Sequence, residues 1–249
     1  MAGAAVLGRL SWLVADVVSV VPETPRVRSI VLDCPSWPGH RAGQHVDVRL
    51  TAEDGYQAER SYSVASPPGS DRLVLTVERL EDGEVSPYLV DELREGDRLE
   101  LRGPIGGYFV WEAPLGGPLL LLAGGSGIVP LRAMLCHRAA AGGSVPARLL
   151  YSARSVEEVI YREELDGMAS SGGLDLRLTL TREAPPGWPG YRRRVDEEML
   201  EEVSWPPSAR PLTYICGPTA FVEAAANGLV SQGQDPARIL TERFGPTGG

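Results

Sequence analysis

Cysteine and histidine are scarce, with three of each in 249 residues. Cys34, Cys136 and Cys216 lie far apart and make no C-x-x-C pair, so neither a zinc knuckle nor an iron–sulfur cluster is encoded. So sparse a set of thiols fits a reducing compartment better than a disulfide framework. His40, His45 and His137 form no ligand pattern, so no metal site is expected, and His45 reads as a packed strand residue. Long apolar runs are missing too. The longest, Leu119–Ala123, falls far short of the roughly 20 residues that span a bilayer. At the amino end Ala4–Leu7 is too short for a signal-peptide core, and Arg9 and Asp16 interrupt the stretch after it. A cytoplasmic location is expected. Basic charge is also short: the net charge is −9. That argues against a nucleic-acid binder, which needs a basic surface to displace counterions. It leaves room for a local basic patch facing an anionic cofactor or an acidic partner.

The residues that are present obey two different grammars. Up to about Glu112 the chain reads as short strands separated by turn residues. Trp12–Val21 and Val27–Leu32 flank a Pro-Glu-Thr-Pro turn at 22–25, and His45–Leu50, Arg60–Ala65, Leu73–Glu78 and Arg98–Leu101 come after them. Strands at this spacing predict an antiparallel barrel or sandwich. One helix interrupts them near Ser86–Leu93, with Ser86 as its expected cap and Pro87 at its first position.

After the Ala113–Pro118 linker the period changes. Strands are expected at Leu119–Ala123, Arg148–Tyr151, Leu176–Leu180, Leu212–Cys216 and Ile239–Thr241. Helices are expected at Val129–Ala140, from a Ser155/Glu158 capping box to about Asp166, near Asp196–Glu202, and at Thr219–Ser231. Such alternation predicts a doubly wound parallel sheet with helices on both faces. The expectation is therefore two domains, an antiparallel β-barrel over 1–113 and an α/β domain over 119–249.

Gly124-Gly125-Ser126-Gly127 falls between the first strand and first helix of the second half. Glycines there let the backbone approach a pyrophosphate, and the helix start offers free N–H groups. The turn reads G-x-G-x-x-P from Gly125 to Pro130, unlike the G-x-G-x-x-G of an ordinary dinucleotide fold. Four further segments stand in a fixed order around it: Arg60-Ser61-Tyr62-Ser63, Gly83-Glu84-Val85-Ser86, Gly103-Pro104-Ile105-Gly106-Gly107-Tyr108-Phe109 and Cys216-Gly217-Pro218.

This set of motifs in register resembles that of the ferredoxin–NADP reductase-like flavoproteins, over nearly the whole chain. The resemblance implies that Arg60 pairs with a flavin phosphate, that Tyr62 lies against the isoalloxazine ring, and that Ser63 is within reach of flavin N5. Ser61, Gly83, Val85 and Ser86 fall in the same two flavin motifs. Gly124, Gly125, Ser126 and Gly127 would hold the nicotinamide dinucleotide, and Cys216, Gly217 and Pro218 would lie beneath its ring. Phe244 resembles the family's terminal aromatic covering the flavin, and Glu242 its nearby carboxylate. FAD is implied, with FMN in some relatives. Arg154 and Arg182 stand where NADPH-preferring relatives keep cations, with Arg192-Arg193-Arg194 close behind, while Glu157 and Glu158 leave NADH open.

Reductases of similar sequence continue past this point into a ferredoxin domain. Its absence here leads to the expectation of a separate electron acceptor, a ferredoxin or partner redox enzyme. A small acceptor such as free flavin or a quinone, or a non-catalytic flavin-binding subunit, are the alternatives.

Overall fold

The computed structural model describes residues 10–244. The readings made on Ala4–Leu7, on Arg9 and on the residues after Phe244 lie outside that range.

The first half is a six-stranded sheet with every pairing antiparallel. Its strands are β1 (Trp12–Thr24), β2 (Val27–Asp33), β3 (His45–Thr51), β4 (Gln57–Ser63), β5 (Leu73–Glu78) and β6 (Arg98–Ile105), in the order β4-β3-β6-β1-β2-β5. The outer strands β4 and β5 meet through a Val64–Leu75 bridge, which closes the sheet into a barrel. The period of two explains its core: Ala15, Val17, Ile30, Leu32, Val46, Val48, Leu99 and Leu101 all point inward and are buried.

Two local expectations give way. The Pro-Glu-Thr-Pro segment is not the hairpin turn: β1 runs through Pro22 to Thr24, and the turn is Pro25-Arg26. A register shift between Pro22 and Thr24 absorbs the proline, whose missing N–H is tolerated at such irregularities. Ser86 does not cap a helix either. Its Oγ accepts the Leu80 N–H at 3.0 Å, closing the 80–86 loop. The expected helix itself does form, over 86–92, its Tyr88–Glu92 part being a wide turn with Leu93 N–H bonded to Tyr88 O.

The second half is a five-stranded parallel sheet, order β11-β10-β7-β8-β9. In chain order it comprises β7 (Leu119–Gly124), α1 (Ile128–Ala140), β8 (Ala147–Ala153), α2 (Arg162–Ser170), β9 (Asp175–Leu180), α3 (Glu197–Val203), β10 (Leu212–Pro218), α4 (Thr219–Ser231) and β11 (Ile239–Phe244). The four leucines of β7 divide by parity. Leu119 and Leu121 pack with Leu131, Met134 and Leu165 of α1 and α2, and Leu120 and Leu122 with Leu200, Val222 and Leu229 of α3 and α4. A strand buried on both faces reads as a continuous apolar run for this reason.

The Ser155/Glu158 capping box does not form. Glu158 pairs with Arg154 at 3.6 Å, and α2 begins at Arg162 behind Tyr161, which adopts the left-handed conformation at φ 59°. That conformation lets the Tyr161 hydroxyl donate to Thr76 Oγ1 of the barrel at 2.5 Å. Other bonds cross the same seam: Arg132 Nη1 to Ala65 O at 2.9 Å and Tyr214 Oη to Val110 O at 2.7 Å. Val27, Ala42, Ala65, Phe109 and Trp111 of the first half belong to the same apolar cluster as α1. The halves therefore meet in one shared apolar cluster, besides the core that each has of its own.

Candidate active site

Strand order reverses between β7 and β10, because the chain goes from β7 to β8 and β9 on one side and then returns to β10 and β11 on the other. The carboxyl ends of strands at such a reversal form a natural crevice. Here a cleft of about 860 Å³ opens at that place, walled by Gly124–Ser126 and Pro218 on the sheet side and by the Thr24–Val27 hairpin of the barrel.

The glycine turn does two jobs. Gly125 has φ +55°, and a Cβ there would meet only the Glu78 Oε2 atom, at 4.0 Å, on the cleft wall. Gly127 is different: it is buried, lies off the cleft, and its Cβ would stand 2.1 Å from Cys216 O. In this fold its lack of a Cβ lets α1 pack on the β10 backbone.

Outside the residues that line this cleft, side chains from four strands stand next to one another. Cys216 of β10 and Glu242 of β11 are register partners. Cys216 is buried, and burial pushes its thiol well above the usual range, with the neighbouring Glu242 adding to the effect. It is a protonated thiol and no nucleophile. Burial likewise pushes the Glu242 carboxyl up to about 7. Glu242 Oε2 is buried without a hydrogen-bond partner, and Oε1 lies 3.9 Å from Nδ1 of His45 on β3. His45 in turn is the register partner of Ser63 on β4, so the two share one face of the barrel. Phe244, partner of Pro218, lines the cleft and packs against the common core.

The expected phosphate side is less uniform. Arg60 is exposed and pairs with Glu84 at 2.5 Å, while Tyr56 donates to the other oxygen of Glu84 at 2.8 Å. Tyr62 is half-buried on the barrel core beside that pair, and burial raises its hydroxyl. Ser61 Oγ donates to Asp47 at 2.7 Å, and Val85 is wholly buried. Gly83 and Ser86 frame the loop above.

Among the cations, Arg154 lines the cleft with Ser152, Ser155, Glu157 and Glu158. Arg182 is exposed and does not line it, although its backbone N–H bonds to Arg154 O at 3.0 Å. Arg194 does line it, while Arg193 is held by Asp196 and Glu198. Sequence reasoning missed His45 and the barrel's Glu78 as site residues, and saw Arg194 merely as one of a triplet. For His45 a signal was there: a titratable residue in a strand place where an aromatic is usual.

An antiparallel barrel joined to a parallel sheet, with a crevice at its reversal point, defines a two-domain dinucleotide-binding oxidoreductase. Residues 24–110 match the family model for an oxidoreductase FAD-binding domain, and residues 121–227 that for an oxidoreductase NAD-binding domain. The chain is 35% identical over 213 residues to ferredoxin–NADP reductase B of Sorangium cellulosum, covering 82% of this chain and 85% of that protein. It is 33% identical to the glycine betaine monooxygenase reductase subunit of Pseudomonas aeruginosa, over 92% of this chain and 63% of the relative. The FAD/NAD-binding domain of a nitric oxide dioxygenase from Vibrio cholerae superposes with a TM-score of 0.83 at 26% identity, covering 94% of this chain and 99% of that one.

The chain belongs to the ferredoxin–NADP reductase-like family of flavoprotein reductases, with one domain of the FAD-binding kind and one of the NAD-binding kind. It spans about 63% of the length of the first curated relatives it matches.

Proposed function

We propose that this chain takes a hydride from NADPH or NADH, passes it to a bound FAD, and delivers the electrons to a separate acceptor such as a ferredoxin or a partner redox enzyme. The observation that carries the reading is a dinucleotide-sized cleft at the strand reversal, lined by Gly124–Ser126, Arg154, Pro218 and Phe244 of the expected nucleotide motifs. The relatives named as a monooxygenase reductase subunit and a ferredoxin–NADP reductase support a protein acceptor. The domain division proposed is 1–113 for the flavin and 119–249 for the nucleotide. Among the described residues no helix is long and apolar enough to cross a membrane, and we propose a cytoplasmic setting.

The residues suit a flavin. Arg60 offers a planar cation for a diphosphate, Tyr62 a flat ring on the same face of β4, and the orphaned Glu242 oxygen an acceptor or donor for a ring edge. When bound, the flavin supplies acceptance of a hydride and release of electrons one at a time. The chain's part is orientation and exclusion of water. Arg60 must let go of Glu84 to hold a phosphate. Gly125 and Ser126 border the place for the nucleotide's pyrophosphate, with the start of α1 behind them. The Cys216 thiol packs beneath the nicotinamide, and Phe244 shields the reaction face until the nicotinamide displaces it. We read Arg154 and Arg194, both on the cleft wall, as favouring the 2′-phosphate of NADPH over NADH.

The test is spectroscopic. The purified protein is expected to be yellow, with one flavin per chain, and Arg60→Ala is expected to lose flavin through a charged hydrogen bond worth roughly 1.5–3 kcal/mol. A protein with no affinity for FAD or FMN ends the reading. Cytochrome c reduction with and without added ferredoxin separates a protein acceptor from a small one.

A further inference from the structure

Four polar side chains run in single file beneath the cleft wall. The Tyr161 hydroxyl donates to Thr76 Oγ1 at 2.5 Å, Thr76 Oγ1 and Ser29 Oγ lie 2.8 Å apart, and Ser29 Oγ donates to Glu23 Oε1 at 2.6 Å. The direction of the file follows from counting hydrogens. A carboxylate only accepts, and a hydroxyl has one hydrogen to give. Ser29 spends its own on Glu23, so Thr76 donates to Ser29 and is left to accept from Tyr161. The chain therefore points one way, from the α/β half through β5 and β2 to the end of β1. Tyr161, Thr76 and Ser29 are only 7%, 5% and 6% exposed, depths at which a hydroxyl left without a partner is costly. Phenylalanine and valine would fill the same seam without that demand, since the halves already meet in an apolar cluster. What a hydrogen bond adds to apolar packing is a fixed distance and direction.

None of the four residues lines the cleft, yet each stands beside one that does. Glu23 precedes Thr24, Ser29 lies two residues beyond Val27, Thr76 two before Glu78, and Tyr161 directly follows Ile160. Tyr161 also ends the loop that carries Arg154. Its left-handed backbone, φ 59°, turns that loop into α2, and its ring lies 5.0 Å from the Arg132 guanidinium carbon.

We propose that Glu23, Ser29, Thr76 and Tyr161 are positioning residues, a one-way hydrogen-bond chain that sets the spacing between the barrel hairpin and the Arg154 loop and so the fit of the nicotinamide nucleotide between them. This rests on the reading of the cleft as a nucleotide site.

The chain acts through two wall segments and touches no reacting atom. Its effect therefore belongs in KM and in the nucleotide's binding constant, while kcat stays put. Each hydroxyl in such a file polarises the next, so a deletion at one end is felt at the other. The seam holds a second buried bond of the same kind, Tyr214 Oη to Val110 O at 2.7 Å. Neither of its residues lines the cleft, which makes it the control for loss of a seam hydrogen bond as such.

The experiment uses the purified, flavin-loaded protein, with steady-state kinetics on NADPH and NADH and calorimetric titration with NADP⁺ and NAD⁺. Tyr161→Phe keeps the ring and removes only the donor. It should raise KM about 2- to 10-fold for the nucleotide the parent prefers, the factor that one net hydrogen bond carries, with kcat and flavin content unchanged. The calorimetric affinity for its oxidised form should fall by the same factor. Thr76→Val should act likewise, and Thr76→Ser, which restores both bonds, should return the parent value. Glu23→Ala should shift KM in the same direction. Joined to Tyr161→Phe it should give less than the product of the two factors, because a single chain is broken once. Tyr214→Phe should lower the melting temperature and leave KM alone. KM unmoved in both Tyr161→Phe and Thr76→Val overturns the proposal, as does a kcat that falls with the rise in KM, or factors that multiply in full. If Thr76→Val does not fold, Tyr161→Phe and Glu23→Ala decide the matter by the same criteria. A parent with no affinity for either nucleotide fails the reading of the cleft and takes the proposal with it. A parent that binds, with variants that match it, fails the chain alone.

Discussion

Replacing Gly127 by alanine isolates what the glycine turn does. The added Cβ would sit 2.1 Å from the Cys216 carbonyl oxygen and 2.4 Å from its carbon. Both neighbours are backbone atoms of the interior strand β10, so no side chain can swing away. To reach ordinary contact α1 must withdraw by roughly 1 Å, loosening Ile128, Leu131 and Met134 from the core. Overpacking of this kind costs about 1–3 kcal/mol, with rigid sites at the upper end. At about 2–4 °C per kcal/mol for a chain of this size, Gly127→Ala should melt roughly 6–12 °C below the parent. Gly125→Ala is the control. Its φ of +55° costs an alanine roughly 1–2 kcal/mol, but its Cβ meets only the Glu78 Oε2 atom, at an ordinary contact distance of 4.0 Å. That variant should stay folded and bind nicotinamide nucleotide more weakly. The assay is a circular-dichroism melt paired with a nucleotide titration. Gly127→Ala melting with the parent, while losing nucleotide, would refute the packing argument and restore a phosphate role to that glycine.

Arg154→Ala and Arg194→Ala should each raise KM for NADPH more than for NADH, whereas Arg182→Ala, off the cleft wall, should leave the ratio unchanged; steady-state kinetics decide it. Phe244→Ala should tighten binding of the oxidised nucleotide, because the nicotinamide no longer spends affinity on displacing the ring, and a titration monitored by flavin absorbance checks this. Glu242 is pushed by burial from 4.5 to about 7, so folding favours its protonated form. Its contribution is therefore full below about pH 4.5 and lost as pH rises through 7. Denaturant melts should show that decline, on the order of 3 kcal/mol, and Glu242→Gln should flatten it.

The strands and helices that depend on period were legible in the sequence, because β3 and β6 alternate and β7 is an unbroken apolar run. The failures came from local competition. Ser155 and Glu158 spell a capping box, but Arg154 claims the glutamate and Tyr161 is drawn to the barrel. Ser86 spells a cap, but the Leu80 N–H reaches it first. The motif residues Gly124–Ser126, Arg154 and Phe244 do line the cleft. His45 was illegible as a partner of Glu242 because their contact exists only after the two halves dock. Arg182 and Arg194 exchanged expectations for a similar reason: which arginine of a loop faces inward is set by the loop's path, and composition does not record it.

The seam between the halves also has a consequence in time. Phe109 and Trp111 of the first half and α1 of the second lie in one apolar cluster, with Tyr161 bolted to Thr76 across it. Swinging the halves apart would strip that cluster, which makes a jaw-like opening on the microsecond-to-millisecond scale an expensive way to exchange nucleotide. The cleft wall carries two aromatic rings, Phe221 and Phe244, and Phe244 stands at the end of an edge strand while packing on that same cluster. On the proposed reading, admission of the nucleotide is set by how often the Phe244 ring turns aside, and the scaffold around it can stay still.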